Sequence, residues 1–240
     1  MTIAQKLAIK LNQNCLHINS AKELKSINDE LIGFVFPVHN YDIPRFVARE
    51  INELVFPNTK YSFGIITHGG DKGNAILSLK NIFDSKKINL DYHNDFLMPV
   101  NSRIMYGMVT DKINERIVTA NSKVQSVISD IKNNIVNTDK IKKRHINAAV
   151  NSMADSNFAR KRFTPVVDSE ICTNCGICQK ICPVRNIIIK DNNAFIENNC
   201  EQCTTCMHWC PELAIHFGNR KIRKEQQYHH PEVKVKDLFL

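Results

Sequence analysis

The sequence predicts an α/β unit with an open parallel sheet over residues 1–140, then a basic linker (141–168), a small α+β unit (169–219) and a polar C-terminal tail (220–240). Three observations predict this. Short continuous apolar runs alternate with segments whose apolar residues fall three and four apart, the pattern of parallel strands separated by helices. Eight of the nine cysteines lie between Cys172 and Cys210, in two copies of one spacing. Between these regions, residues 141–168 carry six lysines and arginines against two acidic residues, and the stretch breaks at Pro165.

Taken in order, residues 2–14 place Ile3, Leu7 and Leu11 on one helical face, with Thr2 and Gln5 at the spacing of a capping box. A short strand is expected around Cys15–Asn19, with Cys15 as a small buried apolar residue. Leu31–Phe36 reads as a strand buried on both faces of a parallel sheet. The loop from Pro37 to Pro44 leads into a helix over Arg45–Leu54. The same order repeats as a strand over Tyr61–Ile66, a loop over Thr67–Asn74 and a helix over Ala75–Phe83. Residues 88–100 supply a last strand, followed by a loop over 101–108. From Asp111 to Ile141 a long amphipathic helix carries Ile117, Ala120, Val124, Val127 and Ile131 on one face.

In the second unit the spacing is C-x2-C-x2-C-x3-C-P, first over Cys172, Cys175, Cys178, Cys182 and Pro183, then over Cys200, Cys203, Cys206, Cys210 and Pro211. This is the bacterial ferredoxin pattern for a [4Fe–4S] cluster, and two copies imply two clusters. A three-cysteine loop wraps three iron corners and the fourth thiolate comes from the other motif. Cys172, Cys175, Cys178 and Cys210 are therefore expected on one cluster, and Cys182, Cys200, Cys203 and Cys206 on the other. Zinc would call for separated C-x2-C pairs, and disulfides for an oxidising compartment with a secretory leader, which the first residues do not resemble. Ile187–Ile196 reads as a hairpin turning at Asp191–Asn193, with Ala214–Phe217 as its counterpart. Trp209 and His208 are expected to pack over a cluster, Val233–Val235 to be strand-like, and His229–His230 to have no metal role.

The formal charge of +8 sits largely in the linker, and cluster-bound thiolates would make the second unit less basic than its composition states. A nucleic-acid partner is not expected. No run approaches the ~20 apolar residues of a membrane span, so the chain is expected to be cytoplasmic.

Beyond the cysteines, the segments Phe36–Arg45, Thr67–Asn74 and Tyr228–Val233 give the chain a family likeness. Residues 1–140 resemble a flavodoxin-like domain, and the whole chain resembles fusions of such a domain with a C-terminal two-cluster ferredoxin found in anaerobic metabolism. The resemblance implies FMN above the carboxyl ends of the strands, held by Pro37, His39, Tyr41, Thr67, His68, Gly69, Gly70 and Gly73. It also shows a departure. The opening strand and the phosphate loop of flavodoxin-like domains are missing from this chain; an upstream strand and loop are expected to belong to the natural protein, with a shortened, flavin-free domain as the alternative.

The function expected from these readings is single-electron transfer between redox partner proteins through two [4Fe–4S] clusters, with exchange to FMN if the flavin site is complete. An electron carrier is favoured over a catalyst with its own substrate. A flavin-dependent oxidoreductase fed by the clusters, and a cluster-based redox sensor or structural module, are the alternatives.

Overall fold

A computed structural model describes the chain except residues 102–103, 105–111, 139–140, 143, 155 and 240, and the side chains of 21, 22, 157 and 160. The chain divides into two compact units, Met1–Pro99 with Lys112–Met153, and Val100–Asp111 with Ala154–Leu240. The loop expected over 101–108 falls largely outside the described residues.

The first unit is a parallel sheet in the order β1 (Leu31–Pro37), β2 (Tyr61–His68), β3 (Tyr92–Leu97). Leu31 pairs with Tyr61, Pro37 with Thr67, and Phe63 with Tyr92. Strands joined in parallel need crossovers, and helices supply them here: α3 (Arg45–Glu53) follows β1 and α4 (Ala75–Ser85) follows β2. The strand residues alternate sides. Ile32, Phe36 and Ile66 face Val47 and Ile51 of α3 and Leu79 and Phe83 of α4. Phe63, Ile65, Tyr92 and Phe96 face Ile3 and Leu7 of α1 (Thr2–Leu11) and Val124, Val127 and Ile131 of α5 (Ile113–Lys132). Helices on both faces bury β2 along almost its whole length, with Phe63, Ile65 and Ile66 in the two cores.

Four expectations are corrected. Residues 18–24 form a helix, α2 (Ile18–Leu24), and Cys15 is exposed, so no strand stands at Cys15–Asn19. With no strand beyond it among the described residues, β1 is an edge strand, and its burial on both faces is only partial: Ile32 and Phe36 are buried in one core, while Leu31 and Val35 pack half-buried on the other and Gly33 and Pro37 are exposed. Thr2 lies inside α1, which has Met1 at its N-cap and no side-chain cap, so the Thr2–Gln5 capping box does not form. Val235–Leu238 is a 3-10 turn, not a strand.

The second unit is built from small repeated pieces. β4 (Val166–Val167) pairs antiparallel with a strand at Ile215–His216, and the hairpin β5 (Ile187–Lys190) with β6 (Asn193–Ile196) turns at Asp191 and Asn192. Both turn residues have positive φ, the geometry a two-residue hairpin requires. After helices α6 (His145–Ala154) and α7 (Asn157–Arg162), short helices follow the cysteine loops, α8 (Ile177–Lys180) in the first motif and α9 (Thr205–Trp209) in the second. The core comprises Ile104, Ile187, Ala194, Met207, Ile215 and Ile222 with the buried Cys178 and Cys182.

In the first unit, the loop after β1 and the loop after β2 interlock. Asn40 and Tyr41 turn in the left-handed region, and the Asn74 N–H donates to the Tyr41 carbonyl at 2.8 Å. Gly73, with φ of 57°, lies so close that a Cβ there would stand 1.8 Å from that carbonyl oxygen. Gly73→Ala therefore combines backbone strain with a clash against main chain, and is expected to destabilise the protein by about 2–4 kcal/mol. Gly70→Ala, where a Cβ would meet nothing within 4 Å, should change stability by less than about 0.5 kcal/mol. Urea unfolding of both variants checks the contrast.

Candidate metal centre

The two cysteine motifs fold alike because their backbones bend at matching positions. Asn174 and Gly176 in the first motif, and Gln202 and Thr204 in the second, adopt left-handed conformations, as do Arg185 and Leu213 after the fourth cysteines. Each pair stands at the same offset that separates Cys172 from Cys200. These reversals curl each loop so that its thiols converge. The sulfur bonding repeats as well: the Asn186 N–H donates to Cys182 Sγ and the Ala214 N–H to Cys210 Sγ, both at 3.2 Å. A further N–H, from Gln202, reaches Cys200 Sγ at 3.3 Å. Hydrogen bonds of this kind stabilise a sulfur in its anionic form.

The thiols gather in two sets of four, each drawn from both motifs. Cys172, Cys175, Cys178 and Cys210 line one cavity, closed by apolar side chains including Ile177, Ile189, Ala194 and Ile215. Burial pushes the Cys178 thiol up to about 11, and Cys175, Cys210 and Cys172 press it further in the same direction. Cys200 is likewise pushed up to about 11 by burial, with Cys203 and Cys182 adding to the effect. Cys206 is raised well above the ordinary thiol value by burial, then by Cys203, Cys200 and Cys182. Thiols so crowded and dehydrated become thiolates only against strong positive charge. Among the described residues, no three or more cysteine, histidine, aspartate or glutamate side chains converge closely enough to hold a single metal ion. The sulfurs surround a space rather than a point.

The eight residues expected at the flavin lie at the carboxyl ends of β1 and β2. Pro37 ends β1, and Thr67 is its partner within β2. His39 exchanges two backbone hydrogen bonds with Asp42 around the turn that holds the exposed Tyr41. Gly69 is engaged through its carbonyl, which accepts from Arg116. Gly73 closes the loop onto Tyr41, so its missing side chain serves loop packing. His68 is buried, and its Nε2 stands 3.0 Å from Asp95 Oδ2 while Nδ1 has no hydrogen-bond partner among the described residues.

Asp95 and Lys72 were not singled out in the sequence, although a carboxylate within a strand was a signal. Asp95 Oδ1 accepts from Lys72 at 2.6 Å. The His68 hydrogen bond, and after it Lys72 and Lys123, hold this carboxyl well below the usual carboxylate range. The tail was also underestimated. His208 is buried between two segments, accepting from the Tyr228 N–H and lying 2.8 Å from the Asn101 carbonyl, and Trp209 stacks on His229 at 3.8 Å between ring centres.

Paired antiparallel segments around cysteine loops of this spacing define a ferredoxin-type iron–sulfur protein. The comparisons agree. The 4Fe-4S binding domain family matches residues 165–188. The chain is 33% identical over 78 residues to pyruvate synthase subunit PorD of Methanocaldococcus jannaschii, covering 32% of this chain and 86% of that protein. It is 35% identical over 51 residues to a ferredoxin-like protein in the vnf region of Azotobacter vinelandii, covering 19% of this chain and 78% of that one. Through this region the chain belongs to the 4Fe-4S ferredoxin family. No solved structure matches it. The first unit is a mixed α/β fold with a three-stranded parallel sheet, and its flavodoxin-like resemblance is not among what these matches establish. No helix among the described residues is long and apolar enough to cross a membrane.

The depressed value of Asp95 makes stability depend on pH. Its contribution is complete above the ordinary carboxylate value of about 4 and disappears as the pH falls through the folded value. Near-UV circular dichroism of the full chain should show tertiary signal weakening below about pH 4. Asp95→Asn should flatten that acid limb and lower stability at neutral pH.

Proposed function

We propose that this protein carries single electrons between partner proteins through two [4Fe–4S] clusters, one held by Cys172, Cys175, Cys178 and Cys210 and the other by Cys182, Cys200, Cys203 and Cys206. The observation that carries this reading is the mixing of the motifs: Cys210 joins Cys172, Cys175 and Cys178 around one cavity, and Cys182 lies close enough to act on Cys200, Cys203 and Cys206. A [4Fe–4S] cluster, when bound, takes up and gives back one electron at a potential set by its surroundings. The chain's own residues supply those surroundings. Asn186, Ala214 and Gln202 donate backbone N–H groups to the sulfurs, and the apolar wall of Ile177, Ile189 and Ile215 limits water. The likeness to a subunit of pyruvate synthase favours an oxidoreductase as a partner.

Metal analysis of the anaerobically reconstituted chain should find about eight irons. The double variant Cys178→Ala/Cys210→Ala should keep about four, because both substitutions fall on one cluster, whereas Cys178→Ala/Cys206→Ala should lose both clusters. Loss of both clusters in Cys178→Ala/Cys210→Ala as well would show that each motif closes its own cluster.

One observation favours a second cofactor. Nδ1 of His68 is a buried acceptor with no partner, at the end of a central parallel strand, where open sheets bind ligands. Gly73 in the neighbouring loop packs against Tyr41, so its missing side chain serves that contact. The electron path between the two clusters does not require FMN. Titration of the chain with FMN, followed by flavin fluorescence, decides. Saturable quenching that His68→Ala weakens about tenfold or more would support a flavin site, that loss corresponding to about 1.4 kcal/mol. Unquenched fluorescence would remove FMN from the account.

A further inference from the structure

We infer that Gln227 and His208 are positioning residues which clamp the helix that carries Cys206 and leads into Cys210, and thereby set the environment of both clusters. The inference rests on the two-cluster reading, in which Cys206 and Cys210 serve different clusters. A helix of five residues, α9, then separates ligands of two redox centres. Any displacement of α9 moves a sulfur of each.

A helix this short has more unpaired end groups than internal hydrogen bonds, and its last carbonyls need donors from elsewhere. The residue after α9, Cys210, is extended (φ −71°, ψ 116°), so the chain leaves the helix at once. In the first motif the matching helix is closed by its own backbone, with the Ile181 N–H donating to Ile177 and the Cys182 N–H to Gln179. In the second, the tail supplies the donors. Gln227 Nε2 spends its two hydrogens on the Met207 carbonyl at 2.9 Å and the Cys210 carbonyl at 2.8 Å. His229 reaches the His208 carbonyl through Nε2 at 2.5 Å and stacks on Trp209.

His208 ties the clamp down from the helix side. Its Nδ1 accepts from the Tyr228 N–H at 2.9 Å, which leaves the ring hydrogen on Nε2, donated to the Asn101 carbonyl at 2.8 Å. Both ring nitrogens of a buried side chain are thus engaged, one by the tail and one by the segment before Ile104. The tail is held in turn: Gln226 Oε1 accepts from the Arg223 N–H, and its Nε2 points to the Ile104 carbonyl. Ile104 and Met207 are both fully buried in the core that holds Cys178 and Cys182. The clamp is therefore continuous from tail to cysteine helix.

Removing the Gln227 donors would leave the Met207 carbonyl to be met by water and the Cys210 carbonyl with the longer 3.4 Å bond from the Leu213 N–H. Solvent access and nearby dipoles are what set iron–sulfur potentials. Gln227→Glu keeps the shape and removes both donors, and Gln227→Met keeps the length without charge. Lys224→Ala, in the exposed part of the same tail, is the control. The experiment compares the full chain and its variants by iron content, redox titration followed by electron paramagnetic resonance, and bleaching in air.

Gln227→Glu and Gln227→Met are expected to keep the wild-type iron content, to shift the midpoints of both clusters, and to bleach about tenfold faster, the effect of losing roughly one buried hydrogen bond. A fall in iron with near-UV circular dichroism retained would support the same role, since the ligands would no longer meet the iron. Unchanged midpoints and bleaching in both variants would overturn the clamp. So would an equal change in Lys224→Ala. About four irons in the unsubstituted chain would instead refute the two-cluster reading beneath it.

Discussion

The second unit depends on one electrostatic constraint, the crowding of eight thiols in a small apolar space. Burial raises Cys178, Cys200, Cys203, Cys206 and Cys210, and the neighbouring sulfurs raise several of them further. Such a set is ill suited to be anionic and ill suited to leave its buried sulfurs idle. Iron resolves both difficulties, because metal binding supplies the positive charge and the ligand bonds together, and for a unit this small much of the binding free energy is folding free energy. The other features of the unit follow. The matched left-handed residues turn the loops inward, the N–H donors meet the sulfurs, and the short antiparallel pairs close the apolar wall behind them.

The first unit answers to a different constraint, the burial of a parallel sheet on both faces. Its central strand, Tyr61–His68, has a core on either side, one formed with Leu79 and Phe83 and the other with Val124 and Ile131. That leaves the carboxyl ends of the strands as the places where polar groups can gather. His68, Asp95 and Lys72 meet there, and the loops after the first two strands pack through Gly73 and Tyr41. This geometry explains why a loop rich in glycine need not be a loop that touches a ligand. In this chain one of its glycines is already filled by protein.

Segments distant in the sequence complete the cysteine unit. Asn101 and Ile104 enter it from a stretch between two elements of the first unit, and Gln226 to His229 enter from the tail. Of these, Asn101, Gln227, Tyr228 and His229 bond to the second cysteine helix, whose own backbone is too short to satisfy itself, or to the residue after it, while Gln226 bonds to Ile104. The first cysteine helix has no such need, and this asymmetry is the main difference between two otherwise repeated halves.

Much of this was legible in the sequence. The cysteine spacing named the metal chemistry because covalent reach limits which thiols a short loop can bring to one cluster, and the membership of the chain in the 4Fe-4S ferredoxin family agrees. The helices over Arg45–Glu53, Ala75–Ser85 and Ile113–Lys132, and the strands at Leu31, Tyr61 and Tyr92, were readable because burying one face or two imposes a period on the residues. Cys15–Asn19 misled because five residues of mixed polarity fit a strand or the start of a helix equally well, and neighbouring contacts chose the helix. The burial of Leu31–Phe36 was overread because an apolar run does not say whether a strand has one neighbour or two. What the sequence by itself determined was the order of the elements and the chemistry of the eight thiols, both set by local spacing. Only the tertiary structure decided that Gly73 is filled by Tyr41, that His68 meets Asp95, and that Gln227 bonds the carbonyls of Met207 and Cys210, because each is a contact between residues far apart in the chain that no local period encodes.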